Sequence, residues 1–115
     1  MITENWFDAT PEVRLYERRQ LPAEPPWANV VIIHGYGDHC TRYEWVMDQF
    51  CRAGMAAFTY DQRGHGRSPG KRGYIPRFED LLDDMDVFLD HIKDDLGNVP
   101  LFMIGHSMGG MVLAR

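Results

Sequence analysis

Leu101-Phe102-Met103-Ile104-Gly105-His106-Ser107-Met108-Gly109-Gly110-Met111-Val112-Leu113-Ala114 is the stretch whose reading decides the fold. The apolar run Leu101 to Ile104 follows Pro100 and reads as a third buried strand, while Met111 onward reads as the start of a helix. Between them lies Gly105-x-Ser107-x-Gly109. A chain that leaves a strand and enters a helix in so few residues strains the backbone of the central residue. Glycines two before and two after it leave space where a side chain would strike the neighbouring strand and helix. Ser107 Oγ is thereby expected at the edge of a sheet, with the Met108 N–H directed at the same spot. A hydroxyl beside an N–H that can accept developing negative charge suits attack on a carbonyl carbon.

Working back along the chain, Phe78, Leu81, Leu82, Met85, Phe88, Leu89, Ile92 and Leu96 recur every three or four residues, which predicts an amphipathic helix. Asp80, Asp83, Asp84, Asp90 and Lys93 fall mainly on its other side, Gly97 stops it and Pro100 prevents resumption. Met55 to Tyr60 predicts a buried strand closing on Asp61. Val30 to Ile33 predicts another, ending at His34-Gly35. Between them Thr41-x-x-Glu44 reads as a capping box opening a helix with Tyr43, Val46, Met47 and Phe50 on one face, and Gly54 suits its left-handed end. Val13 to Arg19 alternates in part and reads as a half-exposed strand at a sheet edge, after which Pro22, Pro25 and Pro26 mark a connection.

Apolar strands joined by amphipathic helices imply parallel pairing with right-handed crossovers. The expected fold is therefore α/β: an open, mainly parallel sheet with helices on both faces, in one domain over residues 1–115. Residues 1–26 supply leading strands and a connection, and residues 27–115 supply the strand-helix-strand-helix-strand-elbow unit. In such a sheet ligands bind beyond the carboxyl ends of the strands. Three segments should share that rim: His34-Gly35-Tyr36-Gly37, Asp61 to Gly66, and the Ser107 turn.

In the first segment Gly35 and Gly37 permit close approach, so the Tyr36 N–H is expected to complete an oxyanion hole with that of Met108. His34 reads as a hydrogen-bonded packing residue. Asp61 reads as an organiser of its own loop, and His65, between two glycines, as buried and paired. His91 sits on the long helix away from the rim, and His106 points away from Ser107. His39, Cys40, Glu44 and Asp61 lack a metal-ligand spacing, so neither metal nor cofactor is expected. No Gly-x-Gly-x-x-Gly follows a strand, which argues against a dinucleotide.

Composition narrows the classes. Of 115 residues 44% are hydrophobic and 25% charged, as in an ordinary globular domain. Seventeen acidic against twelve basic side chains leave a net charge of -5, and the one basic stretch, Arg63 to Arg72, is broken by Gly, Ser and Pro. Nucleic acid is not an expected partner. Met1 to Glu12 has no apolar signal core, and Cys40 and Cys51 form no disulfide framework, so a cytoplasmic setting with reduced thiols is expected. The aliphatic run Val30 to Ile33 is far shorter than the ~20 residues of a membrane span.

His34-Gly35-Tyr36-Gly37-Asp38-His39, Arg42-Tyr43, Tyr60-Asp61-Gln62-Arg63-Gly64-His65-Gly66-Arg67-Ser68 and Gly105-His106-Ser107-Met108-Gly109-Gly110 stand in this order. Together they resemble the monoacylglycerol lipase and lysophospholipase branch of the α/β-hydrolases, grouped with serine aminopeptidase-like hydrolases. The resemblance covers Trp27 to Arg115 well and the leading segment more loosely. It implies a serine esterase acting on a monoacylglycerol, lysophospholipid or similar acyl ester. In that reading Ser107 is the nucleophile and the Tyr36 and Met108 amides form the oxyanion hole. His34, Gly35, Gly37, Gly105, His106, Gly109 and Asp61 support them. Tyr36 is larger than the residue often found there in animal members, which alters the acyl pocket rather than the chemistry.

In this fold the triad acid and histidine follow the serine along the chain. Residues 1–115 are therefore expected to be an N-terminal portion with little or no turnover alone and with one strand edge open to self-association. A lipid substrate would bring membrane contact, though no basic amphipathic surface helix supports it. Peptidase, thioesterase or acyltransferase chemistry on the same elbow, and a non-catalytic interaction fragment, are the alternatives.

Overall fold

The computed structural model describes residues 2–75 and 77–114. Met1 and Arg115, the outer bounds of the expected domain, lie outside the described residues. Five strands form one sheet: β1 (Ile2–Thr10), β2 (Val13–Gln20), β3 (Ala28–Ile33), β4 (Met55–Tyr60) and β5 (Leu101–Gly105). Helix α1 (Glu44–Arg52) lies between β3 and β4, α2 (Phe78–Ile92) between β4 and β5, and α3 (Met108–Ala114) follows β5. Across the sheet the order is β1-β2-β4-β3-β5. β3 pairs in parallel with β4 and with β5, as two crossovers require, whereas β1/β2 and β2/β4 are antiparallel. The sheet is thus mixed.

Every residue of β3 and β4 is buried, because side chains leave each strand alternately toward two covered faces. Val31 and Ile33 pack with Phe58, Leu81, Phe88, Ile92 and Val112 beneath α2 and α3. Val30 and Ile32 pack with Ala57, Met55 and Met47 beneath α1. Helices therefore cover both faces.

Four local expectations are corrected. Val13 to Arg19 is not an edge strand: β1 pairs along it, so Leu15, Tyr16, Glu17 and Arg18 are buried and β1 takes the edge. The capping box does not form. Cys40–Tyr43 makes a 3₁₀ turn, α1 begins at Glu44 without a side-chain cap, and the Glu44 carboxylate accepts from Arg18 at 3.0 Å instead. Asp84 does not lie on a solvated face of α2. It is buried and takes a two-bond contact from Arg63, Nε at 2.8 Å and Nη2 at 2.7 Å, which pins the 61–74 loop to the helix. Finally, β5 is not buried: Leu101, Phe102 and Ile104 are exposed at the sheet's other edge. The predicted stop at Gly97 is reached through a 3₁₀ turn, Lys93–Asp95, with Gly97 at φ +63°.

Candidate active site

β5 ends at Gly105, α3 begins at Met108, and the turn between them is built as the glycine spacing demands. Ser107 has φ +56°, the one positive φ outside glycine among the described residues. A side chain in the left-handed region is strained, so the turn must be over-determined by its surroundings. The glycines supply this. A Cβ on Gly109 would sit 2.1 Å from the Ile33 carbonyl oxygen, and one on Gly105 would sit 2.5 Å from the Gly109 carbonyl. Helix α3 therefore rests directly on the ends of β3 and β5, which leaves Ser107 exposed at the carboxyl rim.

The loop after β3 reaches the same point. A Cβ on Gly35 would lie 3.3 Å from Ser107 Cβ and 3.0 Å from the His106 carbonyl oxygen, so the loop passes against the elbow. His106 itself is exposed, and its N–H donates to the Ile33 carbonyl at 3.1 Å. The Gly35 carbonyl accepts from His34 Nδ1 at 2.8 Å and from the Asp38 N–H at 3.1 Å. In a trans peptide the following N–H, that of Tyr36, points the opposite way. Neither the Tyr36 N–H nor the Met108 N–H has a hydrogen-bond acceptor among the described residues. Gly37, at φ +76°, lets the chain turn away beneath them.

His34 is fully buried, and its partners define its protonation. Nδ1–H donates to the Gly35 carbonyl, and Nε2 accepts the Gln62 N–H at 3.0 Å, so the ring is neutral. Burial lowers its pKa, only partly opposed by the Gly35 carbonyl. Because the unfolded chain takes up this proton first, the contribution to stability is complete above a pH of ~6.5 and declines as pH falls through the lower folded value. Thermal melts should accordingly show Tm falling below that pH, with a shallower dependence in His34→Gln. An equal slope in both proteins would rule out His34 as the source.

Asp61, at the end of β4, organises its loop. Its carboxylate accepts the Cys40 N–H at 2.6 Å and the Arg67 N–H at 2.8 Å, joining two rim segments. His65 is buried, with Nδ1 3.1 Å from the Arg63 carbonyl and its ring 5.2 Å from that of His34. His91 meets the buried Glu17 carboxylate and stacks on Phe7, away from the elbow. Among the described residues, none of the histidines hydrogen-bonds Ser107 Oγ and no group of His, Cys, Asp and Glu could hold a metal. Both cysteines are free, and burial beside Asp61 pushes the Cys40 thiol far above its usual range.

Two contributors carried no individual signal in the reading of the residues. Asp38 accepts the His39 N–H and the Tyr43 hydroxyl, each at 2.8 Å, and pairs with Arg42 at 3.3 Å. Partial burial works against its carboxylate, but these contacts outweigh burial and hold its pKa below the usual value. Gln62 donates from Nε2 to the His34 carbonyl at 2.8 Å. A cleft of about 180 Å³ lies elsewhere, between Glu12-Val13 and the loop bearing Gly64, Gly70 and Lys71. Its Arg63 is committed to Asp84, and Ser107 does not line it.

Known proteins share this fold and much of this sequence. The family described as serine aminopeptidase, S33, matches residues 24–115. Monoglyceride lipase from Rattus norvegicus is 35% identical over 98 residues, covering 85% of this chain and 32% of its own. Monoacylglycerol lipase from Mycolicibacterium smegmatis is 33% identical over 111 residues, covering 96% of this chain and 40% of its own. A thermostable carboxyl esterase from Bacillus coagulans, solved in complex with glycerol, superposes with a TM-score of 0.85 at 25% identity, over 96% of this chain and 38% of that one. This chain therefore spans well under half the length of these relatives. It belongs to the serine aminopeptidase, S33, family of α/β-hydrolases.

Proposed function

We propose that the protein carrying this chain is a serine hydrolase of carboxylic esters, with monoacylglycerols or lysophospholipids as the substrate class. The observation that carries the reading is Ser107 held at φ +56° between two glycines that admit no Cβ, with the Gly35 loop against it. A backbone strained in this way, with an exposed hydroxyl at its apex, marks a functional rather than a packing residue. The substrate class is supported by the lipases among its relatives.

In the proposed reaction Ser107 Oγ attacks the ester carbonyl while a general base takes its proton. Negative charge on the carbonyl oxygen is received by the Tyr36 and Met108 N–H groups, each worth about 3 kcal/mol if removed. Collapse expels the protonated alcohol and leaves an acyl-Ser107, which water then releases as the fatty acid. His34 is not the base, because both ring nitrogens are already engaged. His65 is closed in between His34 and Tyr36.

The test is a fluorophosphonate probe on the protein as made from its gene, followed by peptide mapping. The adduct is expected on Ser107, with hydrolysis of 1-monoacylglycerol outpacing that of an aminoacyl p-nitroanilide. Residues 1–115 expressed alone should turn over p-nitrophenyl butyrate at less than about a thousandth of that rate, lacking a base on Ser107. An adduct on another serine would overturn the reading. Faster anilide cleavage would move it to a peptidase.

A further inference from the structure

The Tyr36 side chain has no part in the chemistry just proposed, yet it is not loose. The residue is 62% exposed, but its hydroxyl donates to the Gly73 carbonyl at 2.7 Å and its ring stands edge-on to His65 at 5.5 Å and 79°. Gly73 is shaped for this contact. It sits at φ +70°, and a Cβ there would come 2.8 Å from Tyr36 Oη. The phenol therefore lies down on bare backbone.

What it lies on is a knit platform. The Gly64 N–H donates to the Pro69 carbonyl at 2.8 Å, and the Gly73 N–H to the Gly64 carbonyl at 2.9 Å. Arg72 spreads its guanidinium over the carbonyls of Gly66, Ser68 and Gly70. Arg63 fixes the whole loop to α2 through Asp84. The His34–Tyr36 loop, by contrast, is a glycine-flanked turn. His34 anchors its inner end to Gln62, and the Cys40 N–H on Asp61 is the next tie further along the chain. Between them, among the described residues, the Tyr36 hydroxyl links the turn to the platform.

We propose that Tyr36 is a positioning residue for its own amide: the hydroxyl-to-Gly73 latch holds the loop so that the Tyr36 N–H stays directed at the reacting carbonyl oxygen. The inference rests on the oxyanion role assigned above. A donor must sit within a few tenths of an ångström of its place to stabilise a transition state, whereas ground-state binding tolerates more. Losing the latch should therefore lower kcat more than it raises KM. The alternative is that the phenol touches substrate and sets specificity, which would act on KM.

Tyr36→Phe separates these, because it keeps the ring on His65 and removes one hydroxyl. With p-nitrophenyl butyrate kcat should fall roughly fivefold, as expected for one neutral hydrogen bond, with KM unchanged within about twofold. The inhibition constant of phenylboronic acid should rise by the same factor. Amide exchange should quicken both in 34–38 and in 71–75, while Tm falls by no more than about 4 °C. Wild-type kcat, or a change confined to KM, would overturn the proposal. If Ser107→Ala stays active, the proposed function fails and the exchange measurement judges the latch: faster exchange in both segments keeps it, and no change in either removes it.

Discussion

Ser107→Ala should lower ester hydrolysis by about 10⁴-fold or more while leaving the fold intact. The size of the effect follows from removing the atom that forms the covalent bond, after which only residual stabilisation by binding and the oxyanion hole remains. The fold should survive because Ser107 Oγ has no hydrogen-bond partner among the described residues, so its loss leaves no buried group unpaired. Ser107→Gly is a useful companion. Glycine adopts φ +56° without the clash that alanine retains, so it should be equally inactive yet melt higher than Ser107→Ala. Steady-state rates on p-nitrophenyl butyrate and a melting curve decide both points. Alanine with more than a tenth of the wild-type rate would dismiss Ser107 as the nucleophile.

The second large effect lies two residues on. Gly109→Ala places a methyl group 2.1 Å from the Ile33 carbonyl oxygen and 2.7 Å from that of His34. Both obstacles are backbone at the end of β3, a fully buried interior strand, so no rotamer change relieves them. Helix α3 must lift away from β3 and carry Ser107 with it. Overpacking of this kind costs about 1–3 kcal/mol, and a displacement of about 1 Å at the reacting atom costs about 100-fold in rate. Gly110→Ala is the control: its Cβ would meet nothing nearer than the Gly105 carbonyl oxygen at 3.3 Å. It should lose less than about tenfold, since a few tenths of an ångström suffice to accommodate it. Rates and melts on the pair test the packing directly. A wild-type rate and Tm in Gly109→Ala would mean that α3 does not rest on β3 as described.

The strands and helices that frame the elbow were legible because their signals are local. Val30 to Ile33, Met55 to Tyr60 and the three-to-four-residue stripe of α2 state their periodicity within a few turns of chain, and the structure places β3, β4 and α2 there. The Ser107 turn was legible for the same reason, since a strand-to-helix reversal constrains only the five residues that make it. Gly54 and Gly97 announced helix ends and both carry positive φ. The family, too, could be read from motifs alone, because four short segments in fixed order are improbable together.

What failed to show was every feature that depends on a partner far along the chain. The stripe pattern placed Asp84 among the solvated acids of α2, but Arg63, 21 residues away, turns it inward. Thr41 and Glu44 had the spacing of a capping box, yet Arg18 arriving from β2 drew the Glu44 carboxylate off. The half-apolar pattern of Val13 to Arg19 suited an edge until β1 folded back along it. Tyr36 offered no hint that its hydroxyl would meet Gly73, 37 residues on. Local sequence determined which segments are strand, helix and elbow, since backbone conformation answers mainly to neighbouring residues. Tertiary structure alone decided which polar groups are buried and which loops hold one another, because those contacts exist only once the sheet has brought distant segments to one rim.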